Sequence, residues 1–206
     1  MSAPTLSGFL GIVLRPDPDT IAKAYELAGA LLPEDAEQRL APDVLPHVTL
    51  TQCALRDAAV VDVKRLVAGL DHALAGRRIP LADVVPFTGG FLFWRVDDTG
   101  SQRAALQTAH RQALSLADGV LDVAANEAVV AGTARATGND PVLVANARRY
   151  GYAFVDDRYL PHITLGFAPR AVASATRSVH PHLMTVERVV AVRLGRLGRV
   201  EEVLSL

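Results

Sequence analysis

The sequence predicts an α+β fold of mainly antiparallel sheets with flanking helices, arranged as one domain of two lobes. Three observations carry this. The first 76 residues alternate strand and helix signals twice. Two later stretches, 79–96 and 187–206, each read as a pair of strands folded back through glycines, which makes them antiparallel. No linker rich in Ser, Gly or Pro separates the halves, so 1–206 reads as a single unit.

The elements follow in order. "GFLGIVL" (8–14) is a compact apolar run stopped by Arg15 and Pro16, and reads as the first strand. Asp19 and Thr20 are the expected caps of a helix whose Ile21, Ala24, Leu27, Ala28 and Leu31 share one face until Pro33. A polar loop leads to Pro46 and the strand "HVTLTQ". Val60, Val63, Val67, Leu70 and Leu74 keep helical spacing up to Gly76. "IPLADVVPF" and "GGFLFWRV" are strands joined near Thr88, Gly89 and Gly90, and Ser101 opens a helix through Leu106, Ala113 and Leu114. Residues 118–140 carry no clear pattern. Asn139, Asp140 and Pro141 start a helix that ends near Tyr150 and Gly151. After the strand "HITLGF" come a short helix around 170–179 and a closing hairpin through Gly195–Gly198.

Composition limits the function classes. The 206 residues are half hydrophobic, enough for a sizeable core, and the interior should be aliphatic because only 5% are aromatic. A formal net charge of −1 provides no general attraction to a nucleic-acid backbone or an anionic membrane, so any nucleotide partner must be held locally. Cys53 is the only cysteine, which excludes an intrachain disulfide and a multi-cysteine metal site and fits a reducing cytoplasm. The N-terminal stretch lacks a basic region and reads as a strand rather than a signal peptide, and no segment has the roughly 20 apolar residues of a membrane span. The expectation is a cytoplasmic monomer without membrane contact.

One feature is specific. "PHVTL" (46–50) and "PHITL" (161–165) differ by one methylene, in a chain with only six histidines. Strand side chains alternate, so His47 and Thr49 face one way and Val48 and Leu50 the other, and His162 and Thr164 repeat this against Ile163 and Leu165. An imidazole and a hydroxyl on one strand face suit a small anion: the ring moves a proton and the hydroxyl binds a phosphoryl oxygen. In-line hydrolysis of a phosphodiester needs a base beside the entering water and an acid beside the leaving oxygen. Two such strands facing each other across a cleft provide both, and imidazoles of ordinary pKa near 6.5 need no metal or other cofactor for it.

With these motifs the sequence resembles the two-histidine (2H) phosphoesterases, a family that includes bacterial RNA 2′-5′ ligase-like proteins and cyclic nucleotide phosphodiesterases. The resemblance implies a bilobal α+β fold, pseudo-two-fold symmetric around a central cleft, each lobe giving one motif. It implies His47 and His162 as the catalytic pair, with His162 as base and His47 as acid, and Thr49 and Thr164 as phosphate-binding hydroxyls. The expected reaction is hydrolysis of a 2′,3′-cyclic phosphate or a related small cyclic or 2′-5′ phosphodiester, on a small nucleotide or an RNA terminus. The rival reading is a non-catalytic nucleotide- or RNA-end-binding module on the same fold. Arg158 and Tyr159, ahead of the second motif, are further candidate substrate contacts, as is Thr51 by its alternation with Thr49. Leu160 stands where some relatives have a second basic residue, which argues against an extended nucleic-acid surface.

The remaining features read as structural. His180 and His182 in "HPH" have no acidic or cysteine cluster beside them for a metal. His110 lies on the edge of an apolar stripe and His72 on a solvated face. "GTARATG" lacks the Gly-Lys-Ser/Thr ending of a phosphate loop. Cys53 is expected as a small core residue, Trp94 as core rather than a base-stacking platform, and arginines 188, 193, 196 and 199 as a solvated hairpin.

Overall fold

The computed structural model describes residues 4–87, 89–97, 101–169 and 178–206. They form eight strands and five helices: β1 (Thr5–Pro16), α1 (Pro18–Leu31), β2 (Gln38–Arg39), β3 (Val48–Ala59), α2 (Val60–Leu74), β4 (Arg78–Phe87), β5 (Phe91–Val96), α3 (Ser101–Ala113), α4 (Val123–Ala136), α5 (Pro141–Tyr150), β6 (His162–Phe167), β7 (His182–Leu194) and β8 (Val200–Val203). The helix expected at 170–179 falls largely on residues outside those described.

Every strand pairing in this set is antiparallel. β7 is long enough to serve two layers. Its first residues pair with β4, from Leu81↔His182 to Arg78↔Thr185, and Val186 to Arg193 pair with β1. One layer therefore runs β3-β1-β7-β8 and the other β6-β5-β4-β7. The layers meet again where Val48 of β3 pairs with Ile163 of β6, so the strand path closes on itself. All eight strands are thus linked in one large antiparallel sheet.

The main core lies on one face of this ring. Leu10, Ile12 and Leu14 of β1, Leu50 of β3, Trp94 of β5 and Met184 of β7 pack with Leu27 of α1, Leu70 of α2 and Leu106 of α3. Val48 and Ile163, at the crossing of the two motif strands, are both 0% exposed. Each such side chain contributes about 1.5–3 kcal/mol through burial, so the juncture that aligns the motifs is also among the best packed.

Two helix starts differ from expectation. Asp17, not Asp19, caps α1: its carboxylate accepts from Thr20 N at 3.0 Å and from Thr185 N at 2.6 Å, and Pro18 fills the first turn. The cap thus ties α1 to β7. In the unpatterned stretch, Asp122 caps α4, which pairs with α5 through a satellite core of Val130, Leu143, Ala147 and Ala153. Its composition of Ala and Val on several faces explains the missing period. α5 begins and ends as read, with Asp140 capping Leu143 N and Gly151 in the left-handed conformation at φ 70°.

Candidate active site

The register between β3 and β6 assembles the two motifs. With Val48 opposite Ile163, one further step either way sets His47 across from Thr164 and Thr49 across from His162. All four are partly buried on the face opposite the core, while Val48 and Ile163 point inward. The imidazoles are diagonal neighbours, which places their β-carbons about 7 Å apart. The motif strands therefore lie side by side; they do not face one another across a gap between separate sheets. A phosphate set over the crossing has a ring on either side of it.

The next strands extend the symmetry. β1 sets Val13 across from Thr49 and Leu14 across from Val48, and continuing that register by one residue brings Arg15 across from His47. β5 sets Phe93 across from Thr164 and Arg95 across from His162. A pseudo-two-fold axis at the Val48–Ile163 pair relates His47 to His162, Thr49 to Thr164 and Arg15 to Arg95. It is broken where Val13 matches Phe93, whose ring stacks on His162 at 3.6 Å between centroids. Five of the six phenylalanines, Phe87, Phe91, Phe93, Phe154 and Phe167, form a connected aromatic patch on the His162 side.

Both motif strands also contain a β-bulge at the same place. Val13 pairs with Thr49 but Ile12 with Thr51, so Leu50 is the extra residue. Phe93 pairs with Thr164 but Leu92 with Gly166, so Leu165 is its counterpart. Bulges beside sites re-aim side chains, and here each inverts the alternation. Thr51 consequently turns to the core, 1% exposed, and is corrected from the expected site face; Cys53 follows it inward at 0% exposed. Gly166 leaves no room for a ligand, because a β-carbon there would collide with the Gln38 carbonyl and with Leu32. Its bare backbone admits β2.

Each imidazole is held in the same way. His47 Nδ1 donates to the Leu45 carbonyl at 3.0 Å, and His162 Nδ1 to the Leu160 carbonyl at 2.6 Å. A carbonyl only accepts, so the proton sits on Nδ1 and Nε2 is the nitrogen left for proton transfer. Pro46 and Pro161, both buried, shape these short loops. Burial lowers the pKa of His47, partly opposed by the Leu45 bond. Burial lowers His162 to about 4, opposed by the Leu160 bond and reinforced by charge on His47. The two rings are thus electrostatic neighbours, each opposing protonation of the other.

Tyr159 and Arg158 lie elsewhere than expected. Tyr159 is 1% exposed, stacks on His110 at 4.0 Å, and donates its hydroxyl to the Thr49 carbonyl at 3.0 Å. It braces the first motif from below and does not reach the site face. Arg158 is exposed and lies 3.8 Å from Asp140; its neighbour Asp156 pairs with Arg111. Arg158 lines a cavity of about 580 Å³ with Phe87, Phe154 and Leu160, which adjoins the second motif without including either histidine.

His110 is buried with Nδ1 2.6 Å from the Leu50 carbonyl, and His182 bonds Thr20 Oγ1 at 2.8 Å. Among the described residues there is no group of three or more His, Cys, Asp and Glu that could hold a metal ion. Trp94 is 0% exposed, with Nε1 donating to the Ala82 carbonyl. Phe93, Arg15 and Arg95 are the site-face residues that sequence reasoning passed over. The alternation in "FLFWRV" separates Phe93 and Arg95 from Trp94, and only the burial of Trp94 says which set faces the site.

No protein-family model matches the sequence, and no curated protein matches it. Solved structures do. TT0787 of Thermus thermophilus is 22% identical, with a TM-score of 0.53 over 96% of this chain and 95% of that one. E. coli LigT complexed with NADP+ is 14% identical, with a TM-score of 0.54 over 97% and 95%. A structure described as a phosphoesterase is also 14% identical, with a TM-score of 0.55 over 96% of each chain. No helix among the described residues is long and apolar enough to cross a membrane. At these identities the likeness is one of fold, and it spans nearly the whole chain: the protein has the LigT-like α+β fold.

Proposed function

We propose that the protein is a metal-independent phosphoesterase that hydrolyses a 2′,3′-cyclic phosphate or a related small cyclic or 2′-5′ phosphodiester of a nucleotide or RNA terminus. The observation that carries this is the symmetric crossing at Val48–Ile163: two His-x-Thr pairs, partly buried on one face, each imidazole fixed through Nδ1 with Nε2 left for chemistry. The fold shared with a phosphoesterase, and with LigT as solved with phosphate and with 3′-AMP, supports it.

In this reading the phosphodiester sits over the crossing. Thr49 and Thr164 donate to its non-bridging oxygens and stabilise the charge that builds there. His162, lowered to about 4 and repelled by His47 when charged, stays neutral and takes a proton from water through Nε2. His47, in its protonated form, delivers a proton to the departing ribose oxygen. The anionic substrate itself favours protonation of His47, since a negative charge within a few ångströms raises a histidine pKa. Phe93, stacked against His162, keeps that ring from turning, and Tyr159 holds the Thr49 backbone. The test is turnover of a panel of 2′,3′-cyclic nucleotides and 2′-5′ dinucleotides with phosphorus NMR of the products; absence of turnover across the panel leaves the binding-module reading in its place.

A further inference from the structure

Outside the four motif side chains, the site face carries an unbalanced pair of cations. Arg15 pairs directly with Arg188 across β1 and β7, on the same face as Val13 and Val190 and in line with His47. Like charges directly opposite in an antiparallel pair destabilise it. Among the described residues the carboxylate paired with Arg15 is Glu187, the extra residue of a bulge, since Arg15 pairs with Arg188 and Pro16 with Val186. Glu187 Oε2 lies 2.9 Å from Arg15 Nε, yet Nε makes no aligned hydrogen bond, so the contact is one of charge. Arg188 is exposed and has no ion pair among the described residues. Its neighbours differ: Arg193 is matched by Glu202, Arg196 by Glu37 and Arg199 by Asp43.

We propose that Arg15 and Arg188 form a second anion site that takes a phosphate of the substrate other than the scissile one. The inference rests on the phosphoesterase reading above and narrows its substrate class to nucleotides bearing a further phosphate, such as a 5′-phosphorylated cyclic nucleotide or the end of an oligonucleotide. Strands are spaced by about 4.8 Å, so the Arg15 and Arg188 backbones stand about 5 and 10 Å from that of His47. Long side chains from there reach a phosphate one nucleoside away from the crossing. Guanidinium groups suit that task, since each offers several donors in a planar fork. The opposite flank carries Arg95 together with the aromatic patch and so differs from this one, and the site also sets the direction in which a substrate lies.

The experiment compares adenosine 2′,3′-cyclic monophosphate with its 5′-phosphorylated counterpart in steady-state kinetics, and adenosine 3′-monophosphate with adenosine 3′,5′-bisphosphate in calorimetry, for the wild type, Arg188→Gln and Arg188→Lys. The wild type should favour the extra phosphate by about tenfold, the worth of one charge-assisted hydrogen bond. That preference should shrink with added salt, fall below about twofold in Arg188→Gln, and return in part in Arg188→Lys. Arg188 is exposed, and the salt series on wild-type protein gives the same answer if the Gln variant is poorly folded. Equal affinity for the two members of each pair, or a preference that Arg188→Gln and salt leave intact, overturns the site. Binding preference without turnover refutes catalysis and leaves the anion site standing; turnover without preference does the reverse.

Discussion

The pH dependence of kcat/KM follows from the surroundings of the two imidazoles. This parameter reports the free enzyme, in which burial lowers His47 and takes His162 to about 4. The base must be neutral, so His162 is competent above about pH 4. The acid must be protonated, so His47 is competent below a pKa that lies under the ordinary 6.5. At pH 7 even an unperturbed imidazole is protonated in only roughly a quarter of molecules, and each further unit of lowering divides the competent fraction by about ten. The optimum in kcat/KM therefore falls between about pH 4 and 6.5, with a roughly hundredfold decline from about pH 6.5 to 8.5. A phosphodiester carries one negative charge throughout this range, so the profile belongs to the enzyme. Once substrate is bound, its charge raises both histidines, and the kcat profile should lie to the alkaline side of that for kcat/KM. The assay is initial rates across this range at constant ionic strength. An optimum in kcat/KM above about pH 7.5, or a profile with no fall above neutrality, would refute the assignment of acid–base work to this pair.

Further consequences test particular parts. A substrate whose leaving group has a low pKa needs no acid, so it should restore His47→Ala and leave His162→Ala inactive; rescue of the opposite variant reverses the roles. Thr51→Val should leave kcat and KM within about twofold of wild type, because the bulge at Leu50 turns that side chain into the core; a large rise in KM would mean that Thr51 faces the substrate. Tyr159→Phe removes the hydroxyl that donates to the Thr49 carbonyl and should cost about 1–3 kcal/mol for the buried acceptor left behind, or about 2–12 °C in Tm for a chain of this size. Its activity should drop through kcat more than through KM, since Tyr159 positions Thr49 and does not touch substrate.

Legibility of this site in the sequence depends on strand parity. In "HVTL" and "HITL" two residues of regular alternation suffice to put the imidazole and hydroxyl on one face, and both copies obey it. One residue further the rule fails, because bulges at Leu50 and Leu165 depend on how β1 and β5 pair with the motif strands, and pairing partners are not written locally. Thr51 leaves the expected face for that single reason. Tyr159 does so for another: in "RYLPH" nothing distinguishes an aromatic ring that enters the core from one that lines a site, and the deciding partner, His110, is 49 residues away. Hairpins and caps close to strong punctuation, such as Asp140-Pro141 and Gly151, are readable. α4 is not, because Ala and Val on several faces leave no dominant stripe. Arg15 and Arg95 gain meaning only from register, which makes them symmetry mates beside the two histidines.

The most direct test of the account is hydrolysis of adenosine 2′,3′-cyclic monophosphate in the presence of EDTA, followed by phosphorus NMR, for the wild type, His47→Ala and His162→Ala with folding verified by circular dichroism. The account predicts a ring-opened monophosphate from the wild type, undiminished by the chelator, and a loss of at least roughly a hundredfold in kcat for each variant. Activity abolished by EDTA and restored by a divalent metal, or turnover equal to wild type in both histidine variants, would contradict it.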